Sequence, residues 1–168
     1  KCGMEMPDGK GLSAAWIARA VDDSLRRLGT DVIDLYQAHR DDESTPLEET
    51  LGAYAKLIKA GKVRAIGASN YSAARLSEAL AVSAKHGLPR YESIQPLYNL
   101  MERAIEADLL PLCAKEGVGV IPYSSLASGF LSGKYRGEAD LSKSVRGPRT
   151  AGKYLKTNGP QVLAALDR

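Results

Sequence analysis

The side chains best suited to chemistry in this sequence stand where apolar, strand-like runs meet water. The stretch IDLYQAHRDD begins with residues that favour a pleated, buried segment and stops on His39, followed at once by Arg40, Asp41 and Asp42. An imidazole at a strand end is placed to titrate or to donate a hydrogen bond. The alternative is a histidine that merely closes the strand against backbone. Later runs end similarly, on Ser69 and Asn70, on Gln95, and on Tyr123 and Ser124. Hydroxyl and amide groups both donate and accept hydrogen bonds, and Ser and Asn also serve as helix caps, so both roles stay open for Ser69 and Asn70. Between Lys134 and Lys156 seven basic residues (Lys134, Arg136, Lys143, Arg146, Arg149, Lys153, Lys156) face only Glu138 and Asp140, interleaved with Gly137, Gly147, Pro148 and Gly152. That stretch reads either as a solvated loop or as a flap attracted to a phosphorylated ligand.

Elements that would position these side chains alternate in type. Ser13 precedes AAWIARAVDDSLRRLG, where Trp16, Ile17, Ala20, Val21, Ser24, Leu25 and Leu28 recur at helical spacing and Gly29 offers a stop. DVIDLYQAH reads as a strand. In TPLEETLGAYAKLIKAG, Thr45 is expected to cap, Pro46 to take the first helical position, Glu48 to complete a capping box and Gly61 to end the helix. KVRAIGA is the next strand, SAARLSEALAVSAKHG a helix and YESIQPL a short strand. RAIEADLLPLCAKEG is expected to be one helix that accommodates Pro111, and VGVIPYSSL a strand running into a loop.

Repeated βα units argue for parallel strands joined by right-handed helical crossovers, hence an open doubly wound sheet or a closed (β/α)8 barrel. In a barrel the polar strand ends converge on one mouth, whereas an open sheet would spread them along an edge. No GxGxxG loop follows any strand, so the barrel of the TIM type is the preferred class. A whole barrel takes about 250 residues. The 168 residues hold four complete strands and what reads as a strand end at Lys1, so the expectation is a single incomplete barrel domain over residues 1–168. It would lack the first strands and the last, fold poorly alone, and carry the basic Gly/Pro-containing loop at about 132–157.

Composition bounds the function classes. With 44% hydrophobic and 26% charged residues the chain has the balance of a globular domain. Cys2 and Cys113 are too far apart in sequence to suggest a metal pair, and two thiols fit a reducing compartment, with the cytoplasm as default. No apolar run approaches the roughly 18 residues of a membrane span, and no signal pattern opens the chain. A net charge of +3, without an aromatic ladder or helix-turn-helix pattern, does not argue for nucleic acid.

The stretches SLRRLGTDVIDLYQAH, GKVRAIGASNYS, IQPLYNL and IPYSSLASGFLSGKY, in this order and spacing, resemble the aldo-keto reductase superfamily over nearly the whole chain. The run ASGFLSGKY resembles the branch holding bacterial reductases and potassium-channel β subunits. The resemblance implies a (β/α)8 barrel that reduces aldehydes or ketones with NADPH, NADH being the open alternative. Its catalytic group is a tyrosine, a lysine, an aspartate and a histidine. His39 matches the histidine, which orients the substrate carbonyl. Lys1, before Cys2 and Gly3, matches the lysine that lowers the tyrosine's pKa, with an arbitrary solvated first residue as the alternative. Ser69, Asn70 and Gln95 match residues that hydrogen-bond the nicotinamide carboxamide, and Tyr123 matches the ring on which the nicotinamide stacks. Ser124, Leu126, Ser128, Gly129, Leu131 and Lys134 match the pyrophosphate-facing segment, where small residues allow close backbone approach. No metal is implied. The family's tyrosine and aspartate have no counterpart in this sequence, and Tyr36 and Tyr54 lie within a strand and a helix. A nucleotide-binding scaffold of the channel-β type and an inactive truncated product are the rival expectations. Substrate, nucleotide preference and oligomeric state are not legible.

Overall fold

The computed structural model describes residues 1–4 and 9–168, and the chain divides into two compact units. The first comprises Lys1–Pro96 and Asp108–Ile121, the second Leu97–Ala107 and Pro122–Arg168.

In the first unit four parallel strands, β1 (Ile33–Ala38), β2 (Val63–Ser69), β3 (Tyr91–Gln95) and β4 (Gly119–Val120), lie in the sheet order β1-β2-β3-β4. Helices α2 (Leu47–Lys59), α3 (Ala73–His86) and α4 (Leu109–Glu116) make the crossovers, and α1 (Ala14–Leu28) precedes β1. Each strand lies beside the next in sequence, which is the expected α/β architecture and the arrangement of consecutive units in a (β/α)8 barrel. The start of the chain runs parallel beside β1: Cys2 N–H donates to Gln37 O at 3.0 Å and His39 N–H donates to Cys2 O at 2.7 Å.

The two faces of the sheet are built differently. Tyr36, Ile66 and Tyr91 stand in register across β1, β2 and β3. Tyr36 and Tyr91 meet Tyr54 of α2 edge-on with centroids 6.3 Å apart, and Tyr71 extends the row at 5.6 Å. Gln37, Gly67, Ser93 and Gly119 form the next register layer. A Cβ on Gly67 would lie 2.5 Å from Ser93 Oγ and 3.2 Å from Gln37 Cγ, so the central strand has no room for a side chain there.

Several expected boundaries differ. Ser13 caps α1 and Ser72 caps α3 through their side chains, and Gly29 and Gly87 end those helices with left-handed backbone. Thr45 does not cap α2: its hydroxyl donates instead to Asp42 Oδ2 at 2.7 Å, Pro46 takes the cap position, and the helix ends at Lys59, two residues before Gly61. RAIEADLLPLCAKEG is not one helix. A 3-10 turn at Ala104–Glu106 is followed by α4, which starts after Asp108 and so places Pro111 in its first turn, where a missing N–H costs nothing. β4 is only two residues long.

The second unit packs Ala127, Phe130, Tyr135, Ala151, Tyr154 and Leu163 into a small core. The basic stretch falls on helical turns at Glu138–Lys143 and Gly147–Ala151 and on α5 (Gly152–Leu155), preceded by a turn at Ala127–Ser132 and followed by α6 (Gly159–Leu166). Several of its cations are paired: Arg136 Nη1 with Asp167 at 2.5 Å, Lys143 with Asp140 at 2.6 Å, and Lys153 with Glu102 at 2.5 Å. No helix among the described residues is long and apolar enough to cross a membrane.

Candidate active site

Three of the polar strand ends meet in the first unit. Ser69 and Gln95 are register partners at the ends of β2 and β3, and the buried Ser69 hydroxyl donates to Gln95 O at 2.7 Å. Asn70 follows with left-handed backbone (φ 57°), a conformation that asparagine tolerates among non-glycine residues. Its amide Nδ2 donates to His39 O at 3.0 Å and to Ser69 Oγ at 3.1 Å. The Lys1 ammonium donates to Gln95 Oε1. Lys1, His39, Ser69, Asn70 and Gln95 thus form one hydrogen-bonded group at the carboxyl ends of adjacent parallel strands, the end at which barrels present their ligands.

Charge inside this group is coupled. Burial lowers the Lys1 ammonium pKa from its ordinary value. Burial also lowers the His39 pKa, and the neighbouring positive charges of Lys1 and Arg40 lower it further. These effects favour the uncharged imidazole, which carries one N–H that can donate to a carbonyl oxygen.

The loop after His39 is held from two sides. Arg75 of α3 grips Asp41 through Nε, at 3.1 Å to Oδ1 and 2.9 Å to Oδ2. Asp42 accepts from Leu12 N–H at 2.7 Å, Ser44 N–H at 3.1 Å, Ser44 Oγ at 2.5 Å and Thr45 Oγ1 at 2.7 Å. Neither aspartate stood out among the candidates above. The signal for Asp42 was its spacing to Ser44 and Thr45, which suits an Asx-type turn.

Tyr123 and the residues after it belong to the second unit. Tyr123 is 37% and Leu126 61% exposed, and Ser124 is exposed too. Ser124 and Ser128 (both φ 57°), Ala127 (φ 48°) and Gly129 (φ 91°) share left-handed backbone, which turns the chain sharply. A Cβ on Gly129 would come within 3.2 Å of Lys134 Nζ, so the ammonium lies directly over glycine backbone. Leu131 packs against the small core. A left-handed turn at Ala127–Gly129 with the Lys134 ammonium over the Gly129 backbone brings a positive charge and closely approachable backbone together, which suits the pyrophosphate the resemblance implies.

Four buried phenols are not suited to give up a proton. Burial raises the pKa of Tyr36, Tyr54, Tyr71 and Tyr91 above the ordinary tyrosine value. Among the described residues no group of three or more His, Cys, Asp or Glu side chains gathers as a metal site would require.

Residues 1–164 match the model of the aldo/keto reductase family. The chain belongs to that family. Aldo-keto reductase YhdN of Bacillus subtilis is 43% identical over 120 residues, covering 71% of this chain and 34% of the relative. An aldo-keto reductase of Fusarium vanettenii is 40% identical over 136 residues, covering 81% and 36%. L-glyceraldehyde 3-phosphate reductase of Escherichia coli K12 is 37% identical over 139 residues, covering 80% and 40%. This aldo/keto reductase chain therefore spans between about a third and two fifths of the length of these curated relatives. The parallel β1–β4 sheet is its part of the family's (β/α)8 barrel.

Proposed function

We propose that this chain is part of an NAD(P)H-dependent carbonyl reductase that converts aldehydes or ketones to alcohols. The observation that carries the reading is the hydrogen-bonded group of Lys1, His39, Ser69, Asn70 and Gln95 at adjacent strand ends. The cofactor supplies a hydride to the carbonyl carbon when bound. Ser69, Asn70 and Gln95 hold its carboxamide, Tyr123 offers a face to the nicotinamide ring, and Ser124, Leu126, Ser128, Gly129, Leu131 and Lys134 face the pyrophosphate. The nucleotide is NADPH, with NADH as the open alternative, and the basic stretch of the second unit would attract the phosphates of either.

His39 orients the substrate. Its neutral imidazole donates to the carbonyl oxygen and stabilises the negative charge that develops there. Lys1 supplies the positive field that favours ionisation of the phenol acting as general acid, a residue with no counterpart among the eight tyrosines of this sequence. The partners are small carbonyl compounds rather than nucleic acid or membrane. Two buried free thiols, Cys2 and Cys113, support a cytoplasmic setting.

Steady-state reduction of 4-nitrobenzaldehyde with NADPH by the full-length protein to which this chain belongs tests this reading, together with NADPH fluorescence titration. Replacing His39 with Ala is expected to lower kcat by about 100-fold, the usual cost of losing a charge-stabilising donor, while changing cofactor affinity less than about threefold. Binding without turnover would favour a scaffold of the channel-β type. Failure to bind NADPH or NADH would overturn the proposal.

A further inference from the structure

Asn99 is buried, with 7% of its surface exposed, and lies in the second unit. Nothing in its type demands burial, and a buried amide is tolerated only when its donors and acceptor find partners. Its Oδ1 accepts from Met101 N–H at 2.8 Å and from Glu102 N–H at 3.1 Å. Its Nδ2 donates to Ser124 O at 3.0 Å. These partners fix the amide's orientation, because rotating it by half a turn would set NH2 against two N–H groups and oxygen against a carbonyl.

The backbone repeats the connection. Leu97 bridges Tyr123 as a parallel partner, and Asn99 pairs with Glu102 in a tight antiparallel bridge. Asn99 therefore closes its own turn with one end of the side chain and anchors the Ser124 carbonyl with the other. Ser124 is held at φ 57°, a left-handed conformation unfavourable for serine, directly after the exposed Tyr123 ring. A residue in that conformation persists only where its surroundings impose it.

We propose that Asn99 is a positioning residue for cofactor binding: by holding the Ser124 carbonyl it sets the backbone that presents Tyr123 to the nicotinamide and turns the chain into the 124–129 segment. This rests on the proposed role of Tyr123 and Ser124 in binding NADPH. Asn99 touches neither cofactor nor substrate. Its effect is carried by one hydrogen bond, and only a side chain with an acceptor at one branch and a donor at the other can make the whole set.

Substitution separates anchoring from folding. Asn99→Asp keeps an acceptor for Met101 and Glu102 but turns an oxygen toward Ser124 O, so it severs the anchor and retains the turn. Glu102→Gln is the control, since it weakens the contacts of that side chain with Lys153 and Tyr154 and leaves the Asn99 amide partners intact. NADPH fluorescence titration of the full-length protein reads the dissociation constant, and thermal melting reads stability. For Asn99→Asp the dissociation constant is expected to rise about three- to tenfold, because binding must then order the Ser124 backbone that the lost hydrogen bond had fixed. The KM for NADPH should rise with it, while kcat at saturating NADPH stays within about threefold. For Glu102→Gln the melting temperature should fall without a matching loss of affinity. Unchanged NADPH affinity in Asn99→Asp would overturn the role of Asn99 and leave the proposed function standing, as would an equal loss of affinity in Glu102→Gln. A wild-type full-length protein that binds no NADPH would overturn both.

Discussion

His39 and Asp42 lie three positions apart and show how neighbours set the charge state of a single residue. Burial lowers the pKa of His39 and the Lys1 charge adds to the effect, so Lys1→Met should raise the imidazole midpoint, read by NMR titration of the ring protons. A midpoint that stays put would mean that Lys1 does not act on His39. Burial alone would push the Asp42 carboxyl up, but hydrogen bonds from Ser44, Leu12 and Thr45 outweigh it and bring the pKa down to about 2 from an ordinary 3.8. A depressed carboxylate stabilises the fold fully above its unfolded value. That contribution fades as pH falls from about 3.8 toward about 2. Asp42→Asn should cost about 1–2 kcal/mol at pH 7 after allowance for solvent screening, and should flatten the acid limb of the stability profile, measured by urea unfolding across that range. The imidazole's position was legible because a strand pattern stops on it. The aspartate's role was not, because hydrogen bonds from Leu12 require the tertiary fold.

Each element responds to substitution according to what its position demands. Gly67 sits in the central strand with Ser93 Oγ where a Cβ would go, so Gly67→Ala must displace β3 or Gln37. We expect a loss of about 1–3 kcal/mol, the usual cost of overpacking, seen as a lower urea midpoint with unchanged slope. Pro111 lies in the first turn of α4, where its ring is compatible with the backbone. Pro111→Ala should therefore cost no more than about 1 kcal/mol, chiefly by loosening the unfolded chain. A Pro111→Ala variant more stable than wild type would argue against this placement. The helix cap at Ser13 was legible from residue type and spacing, since capping is local. Thr45 had the same local signal, yet Asp42 competes for its hydroxyl, and that competitor lies in the loop held by Leu12.

At the scale of the molecule, two packed cores organise the chain. Phe130 is fully buried and its ring lies 5.4 Å from that of Tyr154, centroid to centroid. Phe130→Ala should cost about 3–5 kcal/mol, typical of a large core cavity, and should raise amide hydrogen exchange at Ala127, Leu131 and Leu163. Cys2 and Cys113 are both buried, and burial raises both thiol pKa values. Neither should react quickly with a disulfide reagent until denaturant unfolds the chain. Rapid labelling of the native chain would contradict that burial.

The sequence by itself determined the alternation of strand and helix, the parallel α/β class and the residues at the ends of the first three strands, whereas the fourth strand stops at Val120, short of the expected Tyr123 and Ser124. These follow from hydrophobic periodicity and from punctuation by Ser, Gly and Pro, which act over a few neighbours. Only the tertiary structure decided which side chains meet. The contacts between Lys1 and Gln95, Asn70 and the His39 carbonyl, Arg75 and Asp41, and Asn99 and Ser124 join residues at least 25 positions apart. Such contacts depend on strand register and crossover geometry, which no local pattern records.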